Sequence, residues 1–206
     1  VRTIAVEEYT CETVVNRSRF VCTLYRVGAE AEARERIASH RKANWDATHN
    51  CTAHVLDGGG VQRSADDGEP AGTAGAPMLE VLRGRDLTDV LAVVTRYFGG
   101  VKLGAGGLVR AYGAAVTAAV EQAGVVALAS WPRLVVTADY GRAGSLEGLL
   151  RARGDVRLLQ VVYGGVVEFD LACADAEVFE DWLLVQTSGA VLVEPRGAVR
   201  VELPAG

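Results

Sequence analysis

The 206-residue sequence has four cysteines, Cys11, Cys22, Cys51 and Cys173, and no two of them form a C-x-x-C pair. That absence argues against a disulfide framework and for reduced, mostly buried thiols in a reducing compartment. No unbroken apolar run reaches the roughly 18 residues that a membrane-spanning helix requires. The first residues include Glu7, Glu8 and Glu12 and lack the apolar core of a secretory leader. A cytoplasmic location without membrane contact is the expectation. Basic charge is also in short supply: 21 Lys and Arg stand against 26 Asp and Glu, a net charge of −5. Residues 1–131 hold 14 basic and 15 acidic side chains, and residues 132–206 hold 7 and 11. Such a chain is not a generally cationic, salt-driven nucleic-acid binder, although a local basic patch in the first part stays open. Neither G-x-x-x-x-G-K-[ST] nor G-x-G-x-x-G occurs, so nucleotide binding has weak support. There is no internal repeat and no low-complexity segment.

Half of the residues are hydrophobic, enough for two cores in domains of about 100–150 residues or less. Residues 4–26 read as extended, with a turn at Asn16–Ser18. A helix is expected over 29–42, with Glu30–Arg34 and Glu32–Arg36 as i,i+4 pairs and Ala33 and Ile37 toward the core. A strand over 50–57 ends at Asp57-Gly58-Gly59-Gly60. Pro77 opens a short helix closed by Gly84. The run Val90-Leu91-Ala92-Val93-Val94 reads as a central strand covered on both faces. A helix from about 105 to 123 places Leu108, Tyr112, Ala115, Val116, Ala119 and Val120 on one face. Pro132 is read as the boundary. After it the pattern is strand 133–140, helix 145–153, strand 156–163, strand 166–173, helix 176–187 and strand 190–203, with Ser145 and Asp175 as N-caps and a hairpin at Gly164–Gly165. The order βαββαβ is the ferredoxin-like arrangement. The fold class is therefore α+β, with domains at 1–131 and 132–206.

Two segments are denser in glycine and charge than folding alone requires. The first, Ser64 to Gly75, contains Asp66, Asp67, Glu69 and Thr73. The second, Thr95 to Tyr112, runs from a buried strand through a glycine turn into a helix. It carries Arg96, Gly99, Gly100, Lys102, Gly104, Gly106, Gly107, Arg110 and Tyr112. Free N–H groups at a helix start attract anions, and glycines let an anion approach the backbone. Cations at a helix start are unfavourable by roughly 0.3–1 kcal/mol each, so something negative should offset them. Two readings stay open: a ligand phosphate or carboxylate docks between the segments, or the acidic loop folds onto the basic turn as an internal ion-pair network. The glycines have an equally good alternative in tight turns and close packing.

His49, Cys51 and His54 form H-x-C-x-x-H. On a strand the first two share a face and His54 points away, so a metal site is disfavoured. Ser64 and Thr73 read as turn or capping residues. Trp45, Trp131 and Trp182 read as packing residues.

The run from Asp66 to Gly75, and the run Arg96-Tyr97-Phe98-Gly99-Gly100 continuing from Lys102 to Tyr112, resemble the IMPACT/YigZ family, and His49-Asn50-Cys51 is similar to its short histidine–asparagine element. The resemblance covers about residues 15–125; the remainder matches the second domain of bacterial two-domain members by position and pattern. It implies a βαβ first domain like that of a small-subunit ribosomal protein and elongation factor G domain IV, and a second domain like that factor's domain V. Eukaryotic relatives act in translational control through a partner-binding domain ahead of this module.

Three functional readings follow. The first is a binding and regulatory protein of translation that touches RNA or the ribosome through Arg96, Lys102 and Arg110. The second is an enzyme or binder of a small phosphorylated or anionic ligand, with Asp66, Asp67 and Glu69 as acid/base groups or divalent-ion ligands. The third is a scaffold for a protein partner whose identity the sequence does not give. The first is preferred, with His49 and Asn50 as auxiliary groups and no cofactor.

Overall fold

Residues 1–203 are described by a computed structural model of the chain. They form two compact units, one from Val1 to Ala127 and one from Leu128 onward.

The first unit contains β1 (Arg2–Ile4), β2 (Glu8–Val15), β3 (Ser18–Arg26), α1 (Glu30–Ala43), β4 (His49–Leu56), β5 (Val61–Ala65), α2 (Gly75–Gly84), β6 (Val90–Tyr97) and α3 (Gly104–Ala123). Five strands make one sheet in the order β2-β3-β6-β4-β5, antiparallel throughout. β6 lies in the middle, as its continuous apolar run requires. Asn16 and Arg17 take positive φ, 47° and 67°, and close the β2–β3 hairpin in two residues. Alternation along the strands sorts side chains to two faces. Phe20, Cys22, Cys51, Ala53 and Val94 pack with α2 and α3, where Tyr112, Ala115, Val116 and Ala119 are buried. On the other face Tyr25, Leu91 and Val93 pack with Ala33 and Ile37 of α1.

The expected i,i+4 pairs of α1 do not form. Glu30 lies instead 3.5 Å from Arg63 of β5, and Glu32 accepts the Gly28 N–H at 2.9 Å. Arg36 stands over the Tyr25 ring at 5.5 Å. A local exposed pair contributes only about 0.2–0.5 kcal/mol, so such partners readily replace it.

The second unit contains most of β7 (Val125–Ala138), then α4 (Tyr140–Ala152), β8 (Val156–Tyr163), β9 (Val167–Cys173), α5 (Ala176–Thr187) and β10 (Leu192–Glu202). The strand order is β10-β7-β9-β8, which with the element order βαββαβ is the ferredoxin-like arrangement. Leu134, Val136, Leu146, Leu150, Phe169, Leu171, Phe179 and Leu183 form its core. Two expectations are corrected here. Pro132 does not interrupt β7: it faces Ala198, where β10 shifts register between Pro195 and Ala198, so its missing N–H is tolerated. And α4 is capped by Asp139, which accepts the Arg142 N–H at 3.0 Å, while Ser145 lies inside the helix and donates to the Arg142 carbonyl. Asp175 does cap α5, accepting from Val178 N–H at 3.1 Å.

Candidate functional site

The acidic loop that follows β5 returns to the end of the sheet, and its three carboxylates diverge. Asp66 accepts the N–H groups of Gly72, Ala74 and Gly75 at 2.8, 3.1 and 2.8 Å, and so fastens the start of α2. Burial pushes its carboxyl pKa up, but these three donors outweigh burial and hold it below the usual range. Asp67 accepts from the Asn50 backbone N–H at 2.7 Å and from Arg41 Nη2 at 2.9 Å. Glu69 is buried; its Oε1 takes Arg96 Nη1 at 2.6 Å and the Tyr112 hydroxyl at 2.8 Å. The option, within the second reading, that this trio holds one divalent ion finds no support in the geometry, because each member is committed to a different internal donor. Thr73 is a turn residue, its hydroxyl donating to the Pro70 carbonyl at 2.6 Å.

Arg96 is 5 % exposed. Besides Glu69 it reaches Ser18 Oγ at 3.4 Å, and its Nε is buried without a partner. Its guanidinium stands 5.4 Å from the Phe20 ring centre and 5.6 Å from that of Phe98. Tyr112, expected among the ligand contacts, is fully buried and spends its hydroxyl on Glu69; burial drives its pKa upward and keeps it a donor. Cys51 lies 3.3 Å from the Tyr112 oxygen and 2.9 Å from the Asp66 carbonyl. Burial, the largest influence, pushes its thiol up to about 12, so it is an inert packing thiol rather than a nucleophile.

His49 sits beside this pair. Its Nδ1 is 2.8 Å from the Asp67 carbonyl oxygen, which can only accept. That places a proton on Nδ1, and Nε2 lies 3.8 Å from Glu69 Oε2. Asn50 is held from both ends: Thr95 donates to its Oδ1 at 2.8 Å, and its amide reaches the Asn44 carbonyl at 3.3 Å. His54 lies on the α1 face, so H-x-C-x-x-H does not converge; among the described residues no three His, Cys, Asp or Glu side chains form a metal-sized group.

The glycine turn separates structural from accessible positions. A Cβ on Gly99 would stand 2.0 Å from the Arg17 carbonyl oxygen, so this glycine is a packing requirement. Gly104, φ +70°, turns the chain into α3. Gly100 closes the preceding bend, and Gly106 and Gly107 lie in the first helical turn. No side chain caps α3 and its first turn carries no acid, so the positive end of a 20-residue helix is uncompensated by its own side chains. Here a cleft of about 420 Å³ opens, lined by Thr48, His49, Glu69, Pro70, Arg96, Phe98, Lys102, Leu103, Gly104, Ala105 and Leu108. The two segments singled out from the sequence thus share one cavity. Lys102 is exposed at its wall; Arg110 is exposed on α3 but outside that wall.

Two aromatic residues stand at the surface beside this cleft. Trp45 is 83 % exposed, against the expectation of packing, and Phe98 is 49 % exposed. Trp45 belongs to the turn after α1, whose Asn44 accepts from the Tyr97 hydroxyl at 3.4 Å; Phe98 donates its N–H to Thr48 Oγ1 at 3.1 Å. Both therefore sit on segments tied to the end of β6. The signal for Phe98 was its place inside the motif; for Trp45 it was the flanking Asn44 and Asp46, which suit a turn rather than a core. Trp131, by contrast, is buried, and Trp182 packs on Phe179 beneath Arg153. The arrangement offers an anion the exposed ammonium of Lys102 and a helix start, with the recessed Arg96–Glu69 ion pair and an apolar ring beside them.

A family model described as the Impact N-terminal domain matches residues 16–120. The IMPACT family member YvyE of Bacillus subtilis (strain 168) is 46 % identical over 181 residues, which span 86 % of this chain and 83 % of that relative. The family member YigZ of Escherichia coli (strain K12) is 35 % identical over 169 residues, 81 % and 82 % of the two chains. Among solved structures, a crystal structure of a hypothetical protein superposes with a TM-score of 0.67 at 31 % identity and covers 93 % of this chain and 95 % of its own.

Proposed function

This chain belongs to the IMPACT family, and on that premise we propose that it is a regulatory protein of translation that works by gripping unpaired RNA, free or on the ribosome, at the cleft where α3 begins. The translational part of this reading rests on the role of the eukaryotic relatives. The RNA part rests on one observation: Lys102 and the uncapped start of α3 share a cavity with Phe98, and Trp45 stands exposed on the adjoining turn. A backbone phosphate at the helix start would be held by N–H groups and Lys102, and a base beside it would stack on an aromatic ring. Exposed aromatics favour single strands, because duplex RNA hides its base faces. A second reading, a free phosphorylated small molecule in the same cavity, is favoured by the recess of Arg96 and by the apolar wall of Pro70, Leu103 and Leu108. Fluorescence anisotropy with a short labelled RNA separates these outcomes. Single-stranded RNA should bind more tightly than the same sequence in a duplex, and Lys102→Ala and Phe98→Ala should each weaken binding about tenfold, the worth of roughly one lost contact or stack. If free nucleotides displace the RNA at equal concentration per phosphate, the small-ligand reading replaces the first. If no RNA binds, or both variants bind as the parent does, the RNA reading is wrong.

A further inference from the structure

A second cleft, of about 380 Å³, lies between α1 and the β4–β5 pair. It is lined by the α1 face of the sheet, away from α2 and α3. Three arginines reach it: Arg34 and Arg41, two helical turns apart on one face of α1, and Arg63 of β5. Arg63 stands directly across from His54 in the strand pairing. His54 also lines the cleft, is 6 % exposed, and has its Nε2 buried with no hydrogen-bond partner. An unpaired buried nitrogen is costly, and native structures usually supply one a partner. The hydroxyl residue Thr52 completes the polar lining.

Two carboxylates bear on this charge. Glu30 Oε1 is 3.5 Å from Arg63 Nε, and Asp67 Oδ1 is 2.9 Å from Arg41 Nη2. They occupy one donor on each of two forks and leave Arg34 without an ion-pair partner among the described residues. Two carboxylates against three guanidiniums leave a surplus positive charge beside the orphaned imidazole nitrogen. Burial holds the His54 pKa below its usual value, so the ring is neutral near pH 7 and has a single N–H to give. Planar guanidinium forks fit the oxygen pairs of a tetrahedral anion, which an ammonium does as a point charge only.

We propose that the cleft between α1 and β5 is a phosphate-binding site, in which Arg34, Arg41 and Arg63 hold the oxygens and His54 Nε2 donates to one of them. The phosphate belongs either to a free small molecule or to RNA, and the site is separate from the cleft at the start of α3. The test follows the His54 ring and the arginine side-chain N–H signals of the full chain by NMR at constant ionic strength. Inorganic phosphate, adenosine monophosphate and a short single-stranded RNA are titrated in turn. Saturable shifts of His54 are expected, with affinity falling at least tenfold in Arg34→Ala and in Arg63→Ala. Both side chains are exposed, so both variants should fold, which circular dichroism checks. Lys102→Ala should leave the shifts intact. A response to phosphate or the mononucleotide assigns a free ligand; a response to RNA alone assigns its backbone. The proposal is overturned if none of the three shifts His54 saturably, if the arginine variants respond as the parent does, or if the response vanishes with Lys102.

Discussion

Arg96 and Glu69 together decide how the cleft at α3 is built. Each is nearly inaccessible, and a 2.6 Å contact joins them. Arg96 is therefore a wall that carries charge, not an arm that reaches for a ligand. Removing one partner of a buried pair strands the other in a poor dielectric and costs about 3–5 kcal/mol, whereas removing both costs far less than the sum. Urea denaturation of Glu69→Ala, Arg96→Ala and the double variant should show that non-additivity; strictly additive losses would mean the two charges are independently solvated. This pairing was only half legible in the sequence. That the acidic loop meets the basic turn could be foreseen from the charges. Which acid takes which donor could not, because Asp66 and Asp67 are adjacent and chemically alike, yet one binds backbone N–H groups of α2 and the other binds Asn50 and Arg41. Only the path of the loop separates them.

Helix α1 is pinned to the sheet by a chain of hydrogen bonds with a defined direction. Thr95 gives its hydroxyl proton to Asn50 Oδ1, so it accepts from His40 Nε2 at 2.8 Å, and His40 Nδ1 accepts from the Tyr25 hydroxyl at 2.8 Å. His40 is thus neutral in the folded protein, and burial depresses its pKa; His54, on the neighbouring strand, is depressed by burial too. The unfolded chain binds protons on these rings from about pH 6.5 downward, the ordinary histidine value, while the folded chain resists. Stability should therefore be fully present above that pH and decline as pH falls toward 5, with a shallower decline in His40→Gln. A flat profile over this range would contradict the neutral assignment. The elements themselves were largely legible where periodicity is strong, as in β6 and α3. β5 was missed because it is a five-residue, half-exposed edge strand directly after glycines. The start of α4 was misplaced because Gly141 and Gly144 weaken the helical signal, although Asp139 is a good cap.

For the whole molecule, the acidic balance means that attraction to a polyanion must be local. The second unit, with 11 acids and 7 bases from residue 132 on, is the more acidic of the two, and in the first unit Arg19, Arg41, Arg63, Arg83, Arg85 and Arg96 are each held by a carboxylate. Lys102 and the start of α3 are what the cleft offers at its surface. Binding there should involve one or two phosphates, not a track along the surface. The direct measurement is the affinity for short single-stranded RNA as a function of salt. Each phosphate contact contributes a slope of about −0.7 in log K against log salt, so a total of roughly −0.7 to −1.4 is expected, and Lys102→Ala should make it shallower by about 0.7. A slope of several units that Lys102→Ala leaves unchanged would place the contacts elsewhere and contradict the assignment of this cleft.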